Sequence, residues 1–277
     1  MSSRPDIADH YTKGDLFTRI EAALRDDGVD PESAGVAALA PYDQFHGRGL
    51  EVTEEIAGAL SVSPNDHLLD VGSGIGGPAR YFADRFGCRV TGIDLTEEFC
   101  QVAERLTALT GLEEQVSFQQ GDALAMPFEA EAFDGAYSMN VSMNIADKAA
   151  LYAEIRRVLK PGGWLVLSEI ALGDGGALDY PTPWAESAAA SFLTTPEQTV
   201  EGLQTNGFED IRWRDTREEA LAFGARSRAI VERGKKPPHR AVQMVHGELA
   251  ATMAANTGRG FAASAILPIE VFCRKAG

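Results

Sequence analysis

Short apolar runs recur along this sequence, and segments of helical length separate most of them. The runs are rich in β-branched and aromatic residues and cover residues 67–71, 89–93, 116–119, 133–138, 164–168, 211–215 and 265–273. Strands that alternate with helices form parallel sheets with helices on both faces, because each crossover packs its helix back onto the sheet. The pattern therefore predicts an α/β fold with a mostly parallel sheet.

The remaining segments are assigned around these strands. The predicted organisation is an N-terminal helical lid over 1–49, a core over 50–215, a helical cap insertion over 216–256 and a final core strand over 257–277. Within the lid, partial helical spacing over 7–27 predicts two short helices, and glycines make 28–49 turn-rich. Pro268 lacks a backbone donor and predicts an edge position or a bulge for the last strand.

The charge balance restricts the classes of partner. The 277 residues carry 25 Lys and Arg against 41 Asp and Glu, a net charge of -16. Such an electrostatic field repels phosphate backbones and anionic membranes, so we expect neither nucleic acid nor a membrane as partner.

No apolar run approaches the ~18 residues of a membrane span, and no leader pattern begins the sequence, which predicts a cytoplasmic protein. Five histidines without paired spacing predict no catalytic metal, and the sequence leaves a homodimer open.

The strongest local motif is LLDVGSGIGG over residues 68–77, an apolar strand that leads into a glycine-rich turn and then a helix. Gly72 and Gly74 allow a tight turn and let a ligand approach the backbone beyond the carboxyl end of the strand. The same turn also fits the G-x-G-x-x-G pattern of dinucleotide sites through Gly77. The glycine spacing alone therefore does not exclude NAD.

Three acidic residues near the ends of successive predicted strands distinguish NAD from a nucleoside ligand with a cationic head group. Asp70 precedes the glycine turn, where it would repel a pyrophosphate but attract an ammonium group, directly or through water. Asp94 ends the second strand, where a carboxylate accepts both hydrogen bonds of a ribose diol. Asp122 follows the third strand and can accept from an adenine amino group. Each acid alone could instead cap a helix, but the ordered set predicts a nucleoside ligand with a cationic head group.

Five ordered motifs of the sequence resemble those of a known family. The ordered motifs LLDVGSGIGG, GIDLT, QGDA, FDGAYSM and LKPGGWLVLSE, within residues 43–215, resemble the class I S-adenosylmethionine-dependent methyltransferases. Residues 43–46, 88–96 and 142–148 further resemble the bacterial branch that includes the sarcosine/dimethylglycine N-methyltransferases. The resemblance implies a Rossmann-like seven-stranded sheet whose last strand is antiparallel, and S-adenosylmethionine as the cofactor.

The resemblance also implies roles for individual residues. It implies that Asp94 binds the ribose hydroxyls, that Asp122 and Ala123 lie at the adenine, and that Gln44 and the Gly72 backbone lie near the methionyl end. Leu95, which follows Asp94, is a further candidate for cofactor binding. Met139 either contacts the cofactor or fills the core. Relatives often carry a histidine in the strand-four motif where this chain has Asn140. The resemblance therefore does not determine which acceptor this chain prefers.

Methyl transfer from a sulfonium is an in-line displacement on an activated donor, so alignment and desolvation supply much of the catalysis. We predict His46 and Asn140 at the methyl-transfer face, although a histidine beside Gly47 could equally form only a loop hydrogen bond. The candidate acceptor-binding residues are Tyr11, Met143 and Trp184, each with a competing interpretation as a packing residue. An aromatic ring at 184 could hold a methylated ammonium by a cation–π contact of up to about 2 kcal/mol.

These observations favour a methyltransferase that acts on a small molecule, with an amine nitrogen slightly ahead of oxygen or carbon. Two other classes stay open at this stage. A nucleotide-cofactor oxidoreductase would fit the glycines but not the acidic Asp70 before them. A noncatalytic cofactor-binding protein would bind the ligand without turnover on any acceptor.

Overall fold

The computed structural model of the chain describes Tyr11 and residues 14–277. In this part of the chain the helices are α1 (Leu16–Asp26), α2 (Val36–Asp43), α3 (Leu50–Ala59), α4 (Gly77–Phe86), α5 (Glu97–Thr110), α6 (Lys148–Val158), α7 (Pro196–Thr205), α8 (Arg217–Glu232), α9 (Ala241–His246) and α10 (Ala250–Ala262). The strands are β1 (His67–Val71), β2 (Arg89–Asp94), β3 (Val116–Gln120), β4 (Phe133–Met139), β5 (Leu159–Leu172), β6 (Phe208–Asp215) and β7 (Ile266–Lys275). No helix among these has the length and apolar composition needed to cross a bilayer.

The strands form one seven-stranded sheet in the order β3-β2-β1-β4-β5-β7-β6. Strand β2 pairs in parallel with β1 and β3, and β4 pairs in parallel with β5. Strand β7 runs antiparallel to both of its neighbours, β5 and β6. This confirms the predicted Rossmann-like α/β fold with an antiparallel last strand.

The chain divides into two compact units, each of which we describe separately. The β1–β3 unit contains the described residues up to Pro127 together with 238–247, and the β4–β7 unit contains 128–237 together with 248–277. The four-segment organisation inferred from the sequence stays a prediction. Helix α10 extends past residue 256, where the predicted cap ends.

Helix α1 belongs to the core of the β1–β3 unit. Leu16, Ile20 and Leu24 recur every four residues on α1 and are all buried, as expected of a helix with one apolar face. They join a buried cluster that includes Phe99 and Leu106 of α5. Of the two short helices predicted over 7–27, α1 is one, and the beginning of that range lies outside the described residues.

Two local expectations were wrong. Residues 36–43 form helix α2 inside the stretch predicted as turn-rich. Its first residues, VAALA, are apolar on every side, so they give no one-sided pattern by which a helix is recognised. Pro268 lies on an interior strand, because β7 has β5 on one side and β6 on the other. The pairing with β6 ends at Ile269, and the Pro268 carbonyl accepts from the Thr216 backbone at 2.9 Å, so the missing donor falls just past the end of that ladder.

Candidate functional site

The glycine-rich turn follows β1 and precedes α4. Gly72 and Gly74 have φ values of 71° and 52°, in the left-handed region that favours glycine. A Cβ added to Gly74 would meet no atom within 4 Å, so this side of the turn is open to a ligand. A Cβ on Gly77, by contrast, would lie 2.4 Å from the Asp43 carbonyl oxygen. Glycine at 77 therefore allows the end of α2 to pack against the start of α4.

Asp94 is the last residue of β2, and two backbone donors fix its carboxylate. Its Oδ2 accepts from the Gly74 N–H at 2.8 Å, and its Oδ1 accepts from the Thr96 N–H at 2.8 Å. Burial raises the pKa of this carboxyl, while the two N–H donors and the Thr96 side chain act in the opposite direction. A carboxylate has about four acceptor directions, so these three donors leave acceptor capacity for a ligand hydroxyl.

Asp122 lies at the same end of the sheet as Asp94. The Gly121 N–H donates to the Asp94 carbonyl at 2.8 Å, and Asp122 Oδ1 accepts from the Leu124 N–H at 2.9 Å. The carboxylate thus sits in a short turn after β3, with Ala123 inside that turn. Leu95 is half-buried, and its carbonyl accepts from the Gln120 side chain at 3.2 Å. The structure brings the predicted ribose and adenine residues together.

Asp70 lies within β1 rather than in the turn and is buried. Its charge, together with that of Asp43, raises the pKa of Arg80, whereas burial of the guanidinium, the largest effect, lowers it. Asp70 therefore acts on a buried cation of the protein itself. Its predicted attraction for a ligand ammonium group is a separate role, which the structure leaves as a prediction.

A fully buried polar network holds the segment that follows α2. Arg80 of α4 and Asp43 form an ion pair at 2.9 Å in which both side chains are 0% exposed. Arg80 also donates to the Ile75 carbonyl of the glycine turn at 2.7 Å and to the Ala103 carbonyl of α5 at 3.1 Å. One guanidinium thus connects the glycine turn, α5 and the end of α2.

Gln44 and His46 belong to the same network. The Gln44 amide donates to Asp43 Oδ1 at 3.3 Å, and its carbonyl oxygen accepts from Thr53 at 2.7 Å. His46 Nε2 lies 3.2 Å from both Gln44 Oε1 and Thr53 Oγ1, and Nδ1 lies 3.3 Å from the Gly47 carbonyl. Burial lowers the pKa of His46 to about 3. The imidazole is therefore neutral at physiological pH, and both of its ring nitrogens face protein groups.

Tyr11 lies in an aromatic cluster of the β1–β3 unit. Its ring centroid is 6.0 Å from that of Phe45, 5.6 Å from Phe99 and 5.9 Å from His246. Phe45 is the residue between Gln44 and His46. Tyr11 thus packs against the segment that carries two predicted site residues, which is compatible with both its packing and its lid interpretation.

The predicted residues of the β4–β7 unit follow the end of β4. Met139 is the last residue of that strand and is buried. Asn140 has a φ of 57°, and its N–H donates to the Ser168 carbonyl at 2.8 Å. Met143 lies in the 3-10 helix Ser142–Asn144 and packs with Trp184 in one buried cluster. The Trp184 indole N–H donates to Ser191 Oγ at 2.9 Å, so both acceptor-side candidates lie in the same packed region.

Four functional candidates were missed in the sequence. Arg80 and Thr53 hold the Gln44 network, while Glu169 and Lys148 hold the loop after β4. One signal was available for Glu169, which is a lone carboxylate within the apolar run 164–172. A buried carboxylate needs donors, and this predicts a local network but not its members. Among the described residues, no group of three His, Cys, Asp or Glu side chains is arranged as a metal site.

Comparisons with known proteins show the family of this chain. A family model described as a methyltransferase domain matches residues 69–167. The chain is 31% identical over 176 residues to the glycine/sarcosine/dimethylglycine N-methyltransferase of Actinopolyspora halophila, which covers 62% of this chain and 31% of that protein. It is 30% identical over 217 residues to an O-methyltransferase of Pyrenophora dematioidea, which covers 76% of each chain.

The fold is also similar to a solved structure. The phosphoethanolamine N-methyltransferase 2 of Haemonchus contortus, in complex with phosphomonomethylethanolamine and S-adenosylhomocysteine, matches with a TM-score of 0.77 and 21% identity. That match covers 100% of this chain and 61% of the other. The chain thus spans less than two thirds of the length of two of these three proteins. The fold and the glycine-turn site define a nucleoside-binding α/β protein. The chain belongs to the class I S-adenosylmethionine-dependent methyltransferases.

Proposed function

We propose that this protein transfers the methyl group of S-adenosylmethionine to a small-molecule acceptor, with an amine nitrogen as the favoured acceptor atom. The observation that carries the proposal is the Asp94 carboxylate, held by Gly74 and Thr96 at 2.8 Å each. Its remaining acceptor capacity suits a ribose hydroxyl of the cofactor. The open side of the turn at Gly74 leaves room for the ligand to approach the backbone.

We assign the cofactor contacts as follows. Asp94 and Leu95 bind the ribose, Asp122 and Ala123 the adenine, and Gly72, Gly74, Gln44, Asp70 and Met139 the methionyl side. Asp70 acts on the ammonium group directly or through water, in addition to its effect on Arg80. The bound cofactor supplies a sulfonium methyl group that is already activated for displacement. The protein's contribution is then to hold the acceptor in line and to exclude water.

His46 suits a positioning role better than that of a general base. Its pKa of about 3 makes it a weak proton acceptor at pH 7. With its one N–H on Nε2, the neutral His46 donates to Gln44 Oε1, so His46 and Thr53 together fix the orientation of the Gln44 amide. On the acceptor side we assign Asn140, Met143 and Trp184, and we keep Tyr11 as a lid residue beside Phe45.

The choice of an amine rests on two features. A neutral amine attacks without a dedicated base, and His46 is poorly suited to act as one. The similarity to a glycine/sarcosine/dimethylglycine N-methyltransferase supports the same choice, although the alignment covers 31% of that relative. An oxygen acceptor is the second candidate, because the O-methyltransferase relative is matched over 76% of its length.

A turnover panel tests the proposal. The purified protein is incubated with methyl-labelled S-adenosylmethionine and with sarcosine, dimethylglycine, phosphoethanolamine and a set of phenols, and products are read by mass spectrometry. We expect methylated product from at least one amine, and less product from an Asp94→Ala variant at a subsaturating concentration of S-adenosylmethionine. Product from phenols alone would replace the amine assignment by the oxygen one. Cofactor binding without product on any acceptor would favour the noncatalytic interpretation.

A further inference from the structure

Glu169 is a buried carboxylate within the apolar strand β5, with 4% of its surface exposed. Its Oε2 accepts from the backbone N–H groups of Val141 and Ser142, each at 3.0 Å. Its Oε1 accepts from Ser138 Oγ of β4 at 3.1 Å. Burial raises the pKa of Glu169 to about 7, and these donors act in the opposite direction. The carboxylate therefore holds the beginning of the 3-10 helix Ser142–Asn144.

Lys148 holds carbonyl groups of the same loop. Its ammonium group donates to the Ser142 carbonyl at 2.7 Å, to the Ile145 carbonyl, and to the Phe192 carbonyl at 2.7 Å. These contacts use all three donors of a lysine. Burial lowers the pKa of Lys148 to about 8, and the negative charge of Glu169 acts in the opposite direction.

The two side chains thus hold residues 140–145, which we call the acceptor loop. Glu169 accepts from the N–H groups of Val141 and Ser142, and Lys148 donates to the carbonyl groups of Ser142 and Ile145. Lys148 also extends the network to Phe192, whose N–H donates to the Met143 carbonyl at 2.8 Å. The next residue back, Ser191, accepts from the Trp184 indole at 2.9 Å.

We propose that Glu169 and Lys148 are positioning residues for methyl transfer, which fix the acceptor loop and so orient Asn140 and Met143 toward the acceptor. The proposal rests on the proposed function for its acceptor. A charge buried in β5 is costly to desolvate, and an apolar residue would fill the strand without that cost. The contacts of the carboxylate with the loop backbone are what distinguish it from such a residue.

Two substitutions of Glu169 separate positioning from other roles. In Glu169→Gln the amide oxygen can accept from both loop N–H groups as Oε2 does, and the amide nitrogen can donate to Ser138 Oγ. In Glu169→Leu all three hydrogen bonds are lost while the strand stays apolar. We expect Glu169→Gln to keep turnover of dimethylglycine within threefold of wild type and Glu169→Leu to lower kcat at least tenfold. The Kd for S-adenosylhomocysteine should stay within twofold in both variants.

Hydrogen exchange supplies a readout that needs no acceptor. Exchange of the amides at residues 141–145 should speed up at least tenfold in Glu169→Leu and in a second variant, Lys148→Met, and stay near wild type in Glu169→Gln. Lys160→Met is the control, because Lys160 is half-exposed and pairs with Asp134 away from this loop. Unchanged loop exchange in Glu169→Leu and Lys148→Met, or equal losses of kcat in the Gln and Leu variants, would overturn the proposal. If wild-type protein methylates none of the amines in the turnover panel, the amine assignment fails while the exchange data still decide the role of the loop contacts.

Discussion

Asp43→Asn is expected to lower the free energy of unfolding by about 3 to 5 kcal/mol, because it leaves the Arg80 guanidinium buried without its ion-pair partner. Both side chains of this pair are 0% exposed. Asp70 also acts on the charge of Arg80, which places the expected loss toward the lower end of that range. Urea unfolding with linear extrapolation measures the effect.

The chain offers a matched control for this measurement. Arg259 and Asp179 also form an ion pair, at 3.0 Å, but their side chains are 60% and 63% exposed. Water screens such a pair, so Asp179→Asn should cost about 0 to 1 kcal/mol. Equal losses in the two variants would contradict the assignment of a buried charge at Arg80. A double variant, Asp43→Asn with Arg80→Met, should recover part of the loss, because it removes the unpartnered cation.

Asp94→Ala is expected to raise the Kd for S-adenosylhomocysteine at least tenfold. A hydrogen bond to a charged group contributes about 1.5 to 3 kcal/mol, and each 1.4 kcal/mol corresponds to a factor of about ten in Kd. Asp94→Asn should also weaken binding, because both carboxylate oxygens accept from backbone N–H groups. One of those donors would face the amide nitrogen in the asparagine variant.

Isothermal calorimetry measures these affinities, and circular dichroism establishes that each variant is folded. The control is Glu97→Ala, which removes an exposed carboxylate from the first turn of α5. We expect Glu97→Ala to bind S-adenosylhomocysteine as wild type does. An unchanged Kd in a folded Asp94→Ala variant would remove Asp94 from the cofactor site.

The fold was largely predictable from local pattern. Each predicted strand has its counterpart in the sheet, because short β-branched runs between helical segments are a local property of the sequence. Helix α2 was missed because its apolar residues show no single face. Pro268 was misjudged because the end of the β6 ladder depends on pairing that one strand's sequence does not contain.

The site was predictable to a smaller extent, because only some of its residues follow the strand pattern. Asp94 and Asp122 follow strands whose carboxyl ends meet at one edge of the sheet, so their positions could be inferred from the strand pattern. Arg80 pairs with Asp43, which is 37 residues away along the chain. Lys148 donates to a carbonyl 44 residues away, at Phe192. Contacts of this kind depend on tertiary packing, and no spacing rule in the sequence predicts them.

We infer that the glycine turn with Asp70 and Asp94 binds S-adenosylmethionine and not a dinucleotide. Thermal unfolding of the wild-type protein with S-adenosylhomocysteine or with NADH, at equal concentrations, distinguishes these two ligands. Because a ligand that binds only the native state stabilises it, S-adenosylhomocysteine at a hundred times its Kd should add about 2.7 kcal/mol to the stability. We expect a raised Tm with S-adenosylhomocysteine and no comparable change with NADH. A raised Tm with NADH, and none with S-adenosylhomocysteine, would contradict the account.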